Sequence, residues 1–337
     1  MKKLRWGILG TGNIARQFAA GVMESDRGEL ATVGSRSAGA ANSFAAKFTI
    51  PHAHGSYDAM LASADVDAIY ISLPNTMHHE WTIKALQAGK HVLCEKPIGV
   101  TLAEAQEMFD VANHCGKVLI EAFMYRAHPQ TLKVMELVRS GVVGQVNLIR
   151  TSFCYRVRKT EGNIRFNAGL AGGALMDVGC YCLSFSRLVA GEEPTTLAAV
   201  SRTHQSGVDE QTSVIARFPG GAVAEFTVGM MTQADNTAYI CGDEGYLRIP
   251  VPWKPVPGKG EIILAHSTPP RQDSPGTAPV VPQPVSYPID DPRPLYAIEA
   301  DAFSAAVLDS AAPFVSTAET LGNMAALETL RKQIFAR

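Results

Sequence analysis

The sequence predicts an α/β protein: an N-terminal doubly wound Rossmann domain (residues 1–122), then an α+β domain (residues 123–337) with a large, mainly antiparallel open sheet. Three observations predict it. Short apolar runs alternate with helical segments as far as about residue 122. A glycine-rich turn stands at the first strand-to-helix junction. Beyond residue 123 strand-like segments follow one another without helices between them, and Pro219-Gly220-Gly221 marks a hairpin.

The elements follow in order. Residues 4–9, 30–33, 68–72, 91–94 and 118–120 are predicted strands, and 14–23, 57–62, 79–88 and 102–115 are the helices between them. Gly89 and Gly116 fall where two of these helices should end. In the second domain a helix at 131–140 precedes predicted strands at 147–156, 195–203, 212–218, 222–228 and 237–241. Helices at 296–308 and 318–335 close the chain, with Leu327, Leu330 and Ile334 on one face of the last. Between residues 250 and 294 prolines crowd together. The simplest reading there is a surface loop after an edge strand, with no part in chemistry; the alternative is an oligomer contact.

With 337 residues, 46% of them hydrophobic and only 18% charged, the chain can pack two cores. A formal net charge of −2 gives no basic footprint for nucleic acid or an anionic membrane, so a small-molecule partner is expected. The opening MKKLRWGILGTG has the lysines of a signal peptide, but glycines interrupt its apolar run and no small-residue cleavage site follows. No stretch is expected to reach the roughly 20 apolar residues that span a bilayer. Six cysteines without CxxC spacing read as reduced thiols in a cytoplasmic protein.

Gly10-Thr11-Gly12-Asn13-Ile14-Ala15 matches G-x-G-x-x-[G/A] after a strand and at the opening of a helix. The first glycine permits the tight turn, the second lets a pyrophosphate approach the backbone, and the phosphate sits on the helix amides. The second strand of an NAD enzyme usually ends in a carboxylate for the ribose hydroxyls; here it ends in Gly34-Ser35-Arg36-Ser37. Arg36 can pair with a 2′-phosphate while Ser35 and Ser37 hydrogen-bond beside it, so NADP is the expected cofactor and NAD the alternative. Leu73, Pro74, Asn75 and His78 follow the third predicted strand, on the carboxyl edge where open α/β sheets bind ligands, and are assigned to the cofactor cleft. His78 and His79 share no helix face and have no acidic or thiol partner at ligand spacing, so no metal is expected. The fourth strand runs into HVLCEKPI and brings Glu95, Lys96 and Pro97 to the same edge.

Together with the glycine-rich turn, the loop at 74–79 and Gly172-Gly173-Ala174-Leu175-Met176-Asp177-Val178-Gly179-Cys180-Tyr181, HVLCEKPI resembles the glucose-fructose oxidoreductase and inositol dehydrogenase family over nearly the whole chain. Most of that family ends the later motif in a proton-transferring histidine. Tyr181 in its place, with EAFMYR at 121–126, resembles the branch of dimeric dihydrodiol dehydrogenases and NADP-dependent D-xylose dehydrogenases. The resemblance implies that Lys96 and Tyr181 are catalytic with Asp177 as partner. It also implies an oxidoreductase acting on an aldose or a cyclic vicinal diol, assembled as a homodimer or higher homo-oligomer through the exposed face of the second sheet. Hydride transfer is reversible, so a keto-sugar reductase is an alternative; a nucleotide-binding sensor without turnover is another. A sensor has no need of Lys96, Asp177 and Tyr181 together.

The chemistry is coherent on these residues. Oxidising an alcohol needs a hydride acceptor, which the cofactor supplies, and a base for the hydroxyl proton. Tyrosine titrates near 10, so the Lys96 ammonium is expected to lower Tyr181 and to bind the substrate oxygen. Asp177, four residues before Tyr181, is expected one helical turn away on the same face, orienting the substrate hydroxyl. Glu95 reads as a structural or cofactor-loop residue, and Pro97 as fixing, in cis form or otherwise, the bond that aims Lys96. Tyr125, Arg126 and Tyr155 are assigned to the substrate. His128, Arg156, Arg158 and Arg165 are further candidates, and Phe123 and Phe153 are packing residues or pocket walls.

Overall fold

Six short strands build a parallel sheet: β1 (Leu4–Leu9), β2 (Gly28–Gly34), β3 (His52–His54), β4 (Ala68–Ile71), β5 (His91–Glu95) and β6 (Leu119–Ala122). The computed structural model describes residues 2–266 and 283–335. The order β3-β2-β1-β4-β5-β6 reverses the winding between β1 and β4, which opens a crevice at their carboxyl ends. Helices α1 (Asn13–Met23), α2 (Ala38–Phe48), α3 (Tyr57–Leu61), α4 (His78–Gln87) and α5 (Leu102–His114) connect the strands. A sheet covered on both faces is why β4 is buried at every position. Beneath β1 and β4, Phe18 stacks on Tyr70 with ring centroids 3.8 Å apart, and Trp6 meets Phe18 edge-on at 5.0 Å. The sequence did not announce α2 and β3: alanines blur the two faces of α2, and β3 is a three-residue edge strand.

Eight strands form the second sheet: β7 (Val146–Cys154), β8 (Thr196–Thr203), β9 (Asp209–Arg217), β10 (Val223–Gly229), β11 (Ala238–Gly242), β12 (Tyr246–Ile249), β13 (Gly260–Ala265) and β14 (Val285–Ile289). Their order is β14-β13-β12-β11-β7-β10-β9-β8, antiparallel throughout except for the β7–β10 pair. Along β9, buried Val214 and Ala216 alternate with exposed Ile215 and Arg217, so one face is packed and the other open to water. The remaining helices are α6 (Pro129–Arg139), α7 (Cys180–Ala190), α8 (Leu295–Leu308) and α9 (Thr317–Phe335). α7 packs on β7 and α9, whereas α8 returns to the first sheet and lies on α1. That last contact is close: a Cβ at Gly21 would stand 2.5 Å from the Tyr296 Cβ.

Two expectations are corrected. The proline-rich stretch is not one loop, because β13 and β14 pair inside it and Trp253 is buried; its residues 267–282 lie outside the described residues. Prolines are compatible with β14 because it is the edge strand, where Pro288 can lack a donor. The segment Ala168–Ala190, 23 residues long, is apolar enough by length and composition to cross a membrane, yet 72% of its most apolar window is buried inside the protein. It is apolar because α7 is a core helix. All six cysteines are unpaired.

Candidate active site

The glycine-rich turn is shaped for an anion. Gly10 adopts a left-handed φ of +102°, and a Cβ there would lie 2.9 Å from the Ser72 Oγ. At Gly12 an added Cβ would meet nothing within 4 Å, so the backbone is open to the crevice. No side chain caps α1, which leaves its first-turn amides to face a cavity of about 420 Å³. Gly12, Asn13 and Ile14 line that cavity, with Leu73, Pro74 and Asn75 from the loop after β4. These residues fit a dinucleotide pyrophosphate. Thr11 completes the turn but does not line the cavity. Ser35, Arg36 and Ser37 stand at the end of β2, where Gly10 donates to the Gly34 carbonyl at 2.9 Å. Arg36 is exposed, while Ser37 caps α2 by accepting from the Ala40 amide.

His78 and Asn75 are partly committed already. The His78 ring is buried, with Nδ1 2.9 Å from the Pro97 carbonyl and Nε2 2.8 Å from the Leu73 carbonyl. Its edge lines the cavity, while both ring nitrogens face these carbonyls and not the open space. The Asn75 side chain donates to the Ala171 carbonyl at 2.9 Å, tying the loop after β4 to the approach to α7.

β5 delivers Lys96 through a cis Lys96–Pro97 peptide. Its Nζ donates to the Asp177 carbonyl at 2.7 Å and stands 3.4 Å from the Asp177 Oδ1. Asp177 Oδ2 accepts from Arg165 Nε at 2.9 Å and from the Tyr155 hydroxyl. Burial alone would raise the Asp177 carboxyl, but Lys96 and Arg165 outweigh it and hold it at about 2. Burial pulls Lys96 down and Asp177 more than restores it, so the ammonium sits above its ordinary value. Glu95 accepts from the Tyr70 hydroxyl, and burial raises its carboxyl.

The expected activation of Tyr181 by Lys96 is corrected by this geometry. Lys96 Nζ lies over the Tyr181 ring, 5.1 Å from its centroid, while the Tyr181 hydroxyl donates to Met124 Sδ at 3.2 Å. Burial, and then Glu95, push the phenol well above its ordinary value. The lysine's charge is directed to Asp177 instead. Asp177 and Tyr181 also lack α-helical spacing, because residues Leu175–Gly179 form a π turn with i→i+5 bonding. Asp209, which no sequence signal marked, holds that turn: its Oδ2 accepts from the Leu175 amide at 2.8 Å and from Thr212 Oγ1 at 2.7 Å.

An aromatic wall faces this cluster. Phe153 and Tyr181 line the cavity with ring centroids 5.4 Å apart, and Trp253 stacks behind Phe153 at 5.7 Å, its Nε1 donating to the Ser152 carbonyl. Tyr125 and Arg126 do not reach the cavity. Tyr125 is wholly buried behind Tyr181 and donates to Ser184 Oγ at 3.1 Å; Arg126 pairs with Glu319. Both find their partners on α7 and α9, inside the core. Phe123 packs there too, 5.2 Å from Tyr181. His128 caps α6, and Arg156 and Arg158 are exposed outside the cavity.

Residues 4–123 match the oxidoreductase family with an NAD-binding Rossmann fold, and residues 131–248 match the GFO/IDH/MocA C-terminal domain. Trans-1,2-dihydrobenzene-1,2-diol dehydrogenase of Mus musculus is 35% identical over 255 residues, covering 75% of this chain and 76% of its own. D-xylose 1-dehydrogenase (NADP(+)) 2 of Haloferax volcanii is 39% identical over 221 residues, or 66% of this chain and 68% of its own. The crystal structure of a 3-ketoreductase from Actinomadura kijaniata, in complex with NADP and TDP-benzene, is similar with a TM-score of 0.86 at 29% identity, covering 99% of this chain and 98% of that one. With an NAD(P)-binding Rossmann domain, an open second sheet and a lysine-centred cavity between them, the chain belongs to the Gfo/Idh/MocA family of oxidoreductases and is an NAD(P)-dependent enzyme acting on CH–OH groups.

Proposed function

We propose that the enzyme is NADP-dependent and moves hydride between the nicotinamide and an aldose or cyclic vicinal diol. One observation carries the reading: Lys96 stands between the cofactor turn and the aromatic wall with two of its three N–H groups directed to Asp177, leaving one for a substrate oxygen. The bound cofactor supplies the hydride acceptor or donor. Ionised Asp177, braced by Arg165 and Tyr155, keeps Lys96 charged and fixed, so that its free N–H stabilises charge developing on that oxygen. The Phe153 ring, backed by the parallel ring of Trp253 and set edge-on to Tyr181, offers an apolar corner to the C–H face of a cyclic substrate. Tyr181 is the proposed proton-transfer residue. Arg36 and Ser35, with no carboxylate beside them, favour NADP over NAD, as do the NADP-dependent xylose enzyme and the NADP complex among the similar proteins.

A keto-sugar reductase is the second reading, favoured by the protonated state in which burial keeps the Tyr181 phenol. A protonated phenol has a proton to give to a carbonyl oxygen, although the raised pKa makes it a weaker acid than free tyrosine. The test is a screen of the purified protein with NADP and NADPH against aldoses, inositols, cyclic trans-diols and keto sugars, read by nicotinamide absorbance. Turnover of an aldose or a diol, faster with NADP than with NAD, is expected. Binding of NADP without turnover of any substrate would replace the enzyme reading with that of a nucleotide sensor.

A further inference from the structure

Lys254 reaches the same cavity from the segment between β12 and β13, and its Nζ lies 3.5 Å from Gln17 Oε1 on α1. The backbone around it is held: Pro252, Trp253 and Pro255 are all buried, while Lys254 itself is exposed to the crevice. Among the described residues no carboxylate lies within ion-pair distance of its ammonium. The two nearest are engaged, Asp177 by Lys96, Arg165 and Tyr155, and Glu95 by Tyr70 and the Lys96 amide. Loss of solvation in the crevice, and then the neighbouring Lys96 charge, pull the Lys254 ammonium below its ordinary value. The cavity walls thus carry three basic side chains, Lys96, Arg165 and Lys254, against Asp177 and a Glu95 that burial disfavours as an anion. On the α1 side the same space is bordered by uncapped amides.

We infer that Lys254 is an anion clamp for the dinucleotide pyrophosphate, supplied by the second domain to meet the amides of the glycine-rich turn. An ammonium and a helix N-terminus that face one space supply two kinds of donor to one phosphate group, and a charge-assisted N–H to phosphate bond is about twice as strong as a neutral one. Gln17 steadies the lysine in the absence of the anion. The inference rests on the dinucleotide site and not on which alcohol is oxidised.

The test is the dissociation constant of NADP and of NAD, by titration calorimetry at low and high salt, for the parent protein, Lys254→Met and Lys254→Arg. Lys254→Met is expected to weaken both cofactors by the same factor, roughly ten- to a hundredfold, since the two share the pyrophosphate and differ in the 2′-phosphate. Raising the salt should cost the Met variant less affinity than the parent, and Lys254→Arg should restore most of the binding. Unchanged constants for both cofactors would overturn the inference. So would a loss confined to NADP, which would put the cation at the 2′-phosphate, or unchanged cofactor binding with a raised KM for the alcohol, which would give the cation to the substrate.

Discussion

Lys96 has three hydrogens to give and spends two on one aspartate, and the chemistry of the cavity follows from that allocation. Burial, and then Glu95, raise the Tyr181 phenol well above its ordinary value, and the Lys96 charge, committed to Asp177 and lying over the ring, does not bring it down. The sign of the pH dependence follows: phenolate is scarce at neutrality and grows as pH rises, so alcohol oxidation should climb through the alkaline range while carbonyl reduction stays flat near neutrality. Tyr181→Phe should lower turnover by roughly 10²- to 10⁴-fold and abolish the alkaline climb, with the dissociation constant for NADP unchanged. Near-full turnover in the Phe variant would remove Tyr181 from proton transfer. At this scale the sequence was legible where chemistry is local. Lys96 follows its strand directly, and Asp177 sits in a short motif. Trp253 and Lys254 were invisible because their partners Ser152 and Gln17 are 101 and 237 residues away, and no periodicity marks such a pairing. The Asp177–Tyr181 spacing was misjudged because it assumed an α-helix where the chain makes a π turn, and the Lys96–Tyr181 relation because sequence does not show that the hydroxyl turns to Met124 while the ammonium lies over the ring.

Strands β1, β4 and β5 were legible to within a residue or so because burial on both faces makes them mainly apolar, without interruption in β4. The elements that escaped were those with weak contrast, such as alanine-rich α2, or with misleading residues, such as proline-bearing β14. Helix α1 shows how an element away from the chemistry governs the site. Its Gly21 touches Tyr296, a cavity residue, and an added methyl would press on the Tyr296 Cβ and carbonyl carbon at 2.5 and 2.6 Å. Gly21→Ala should therefore destabilise the protein by about 1–3 kcal/mol, seen as a lower urea midpoint, and should weaken NADP binding as α1 and α8 are pushed apart. Gly39→Ala provides the contrast: in α2 only Ser37 Oγ, at 3.8 Å, lies near the new methyl, so stability should hold or rise slightly. Equal midpoints for the two variants would contradict this account of the α1–α8 contact.

Two sheets of different logic divide the work of the whole molecule. The parallel one presents its strand ends to the cofactor, and the antiparallel one presents a broad face, one side of which α7 covers. Its other side leaves Val200 on β8 79% exposed and Ile215 on β9 58% exposed, on neighbouring strands of one face. Apolar side chains gathered there fit a second copy of the chain, and a homodimer through this face is the assembly we propose. Ile215→Glu should then sediment as a monomer at concentrations where the parent sediments as a dimer, with its melting temperature little changed. A monomeric parent would end that proposal. The general plan of two domains was legible in the rhythm of the sequence. The return of α8 to the first sheet was not, because the helix carries apolar residues on all sides and so names no partner.

The His78 ring has a consequence for motion. One imidazole stands within hydrogen-bond distance of the Leu73 carbonyl after β4 and of the Pro97 carbonyl after β5, and because burial lowers its pKa the neutral ring has one N–H for two acceptors. The first loop lies where the dinucleotide must seat, and the second carries Lys96. With one donor shared between the two loops, a displacement of the cofactor loop is expected to move that hydrogen bond toward or away from the loop that carries the ammonium. Occupancy of one half of the crevice should thereby be felt in the other.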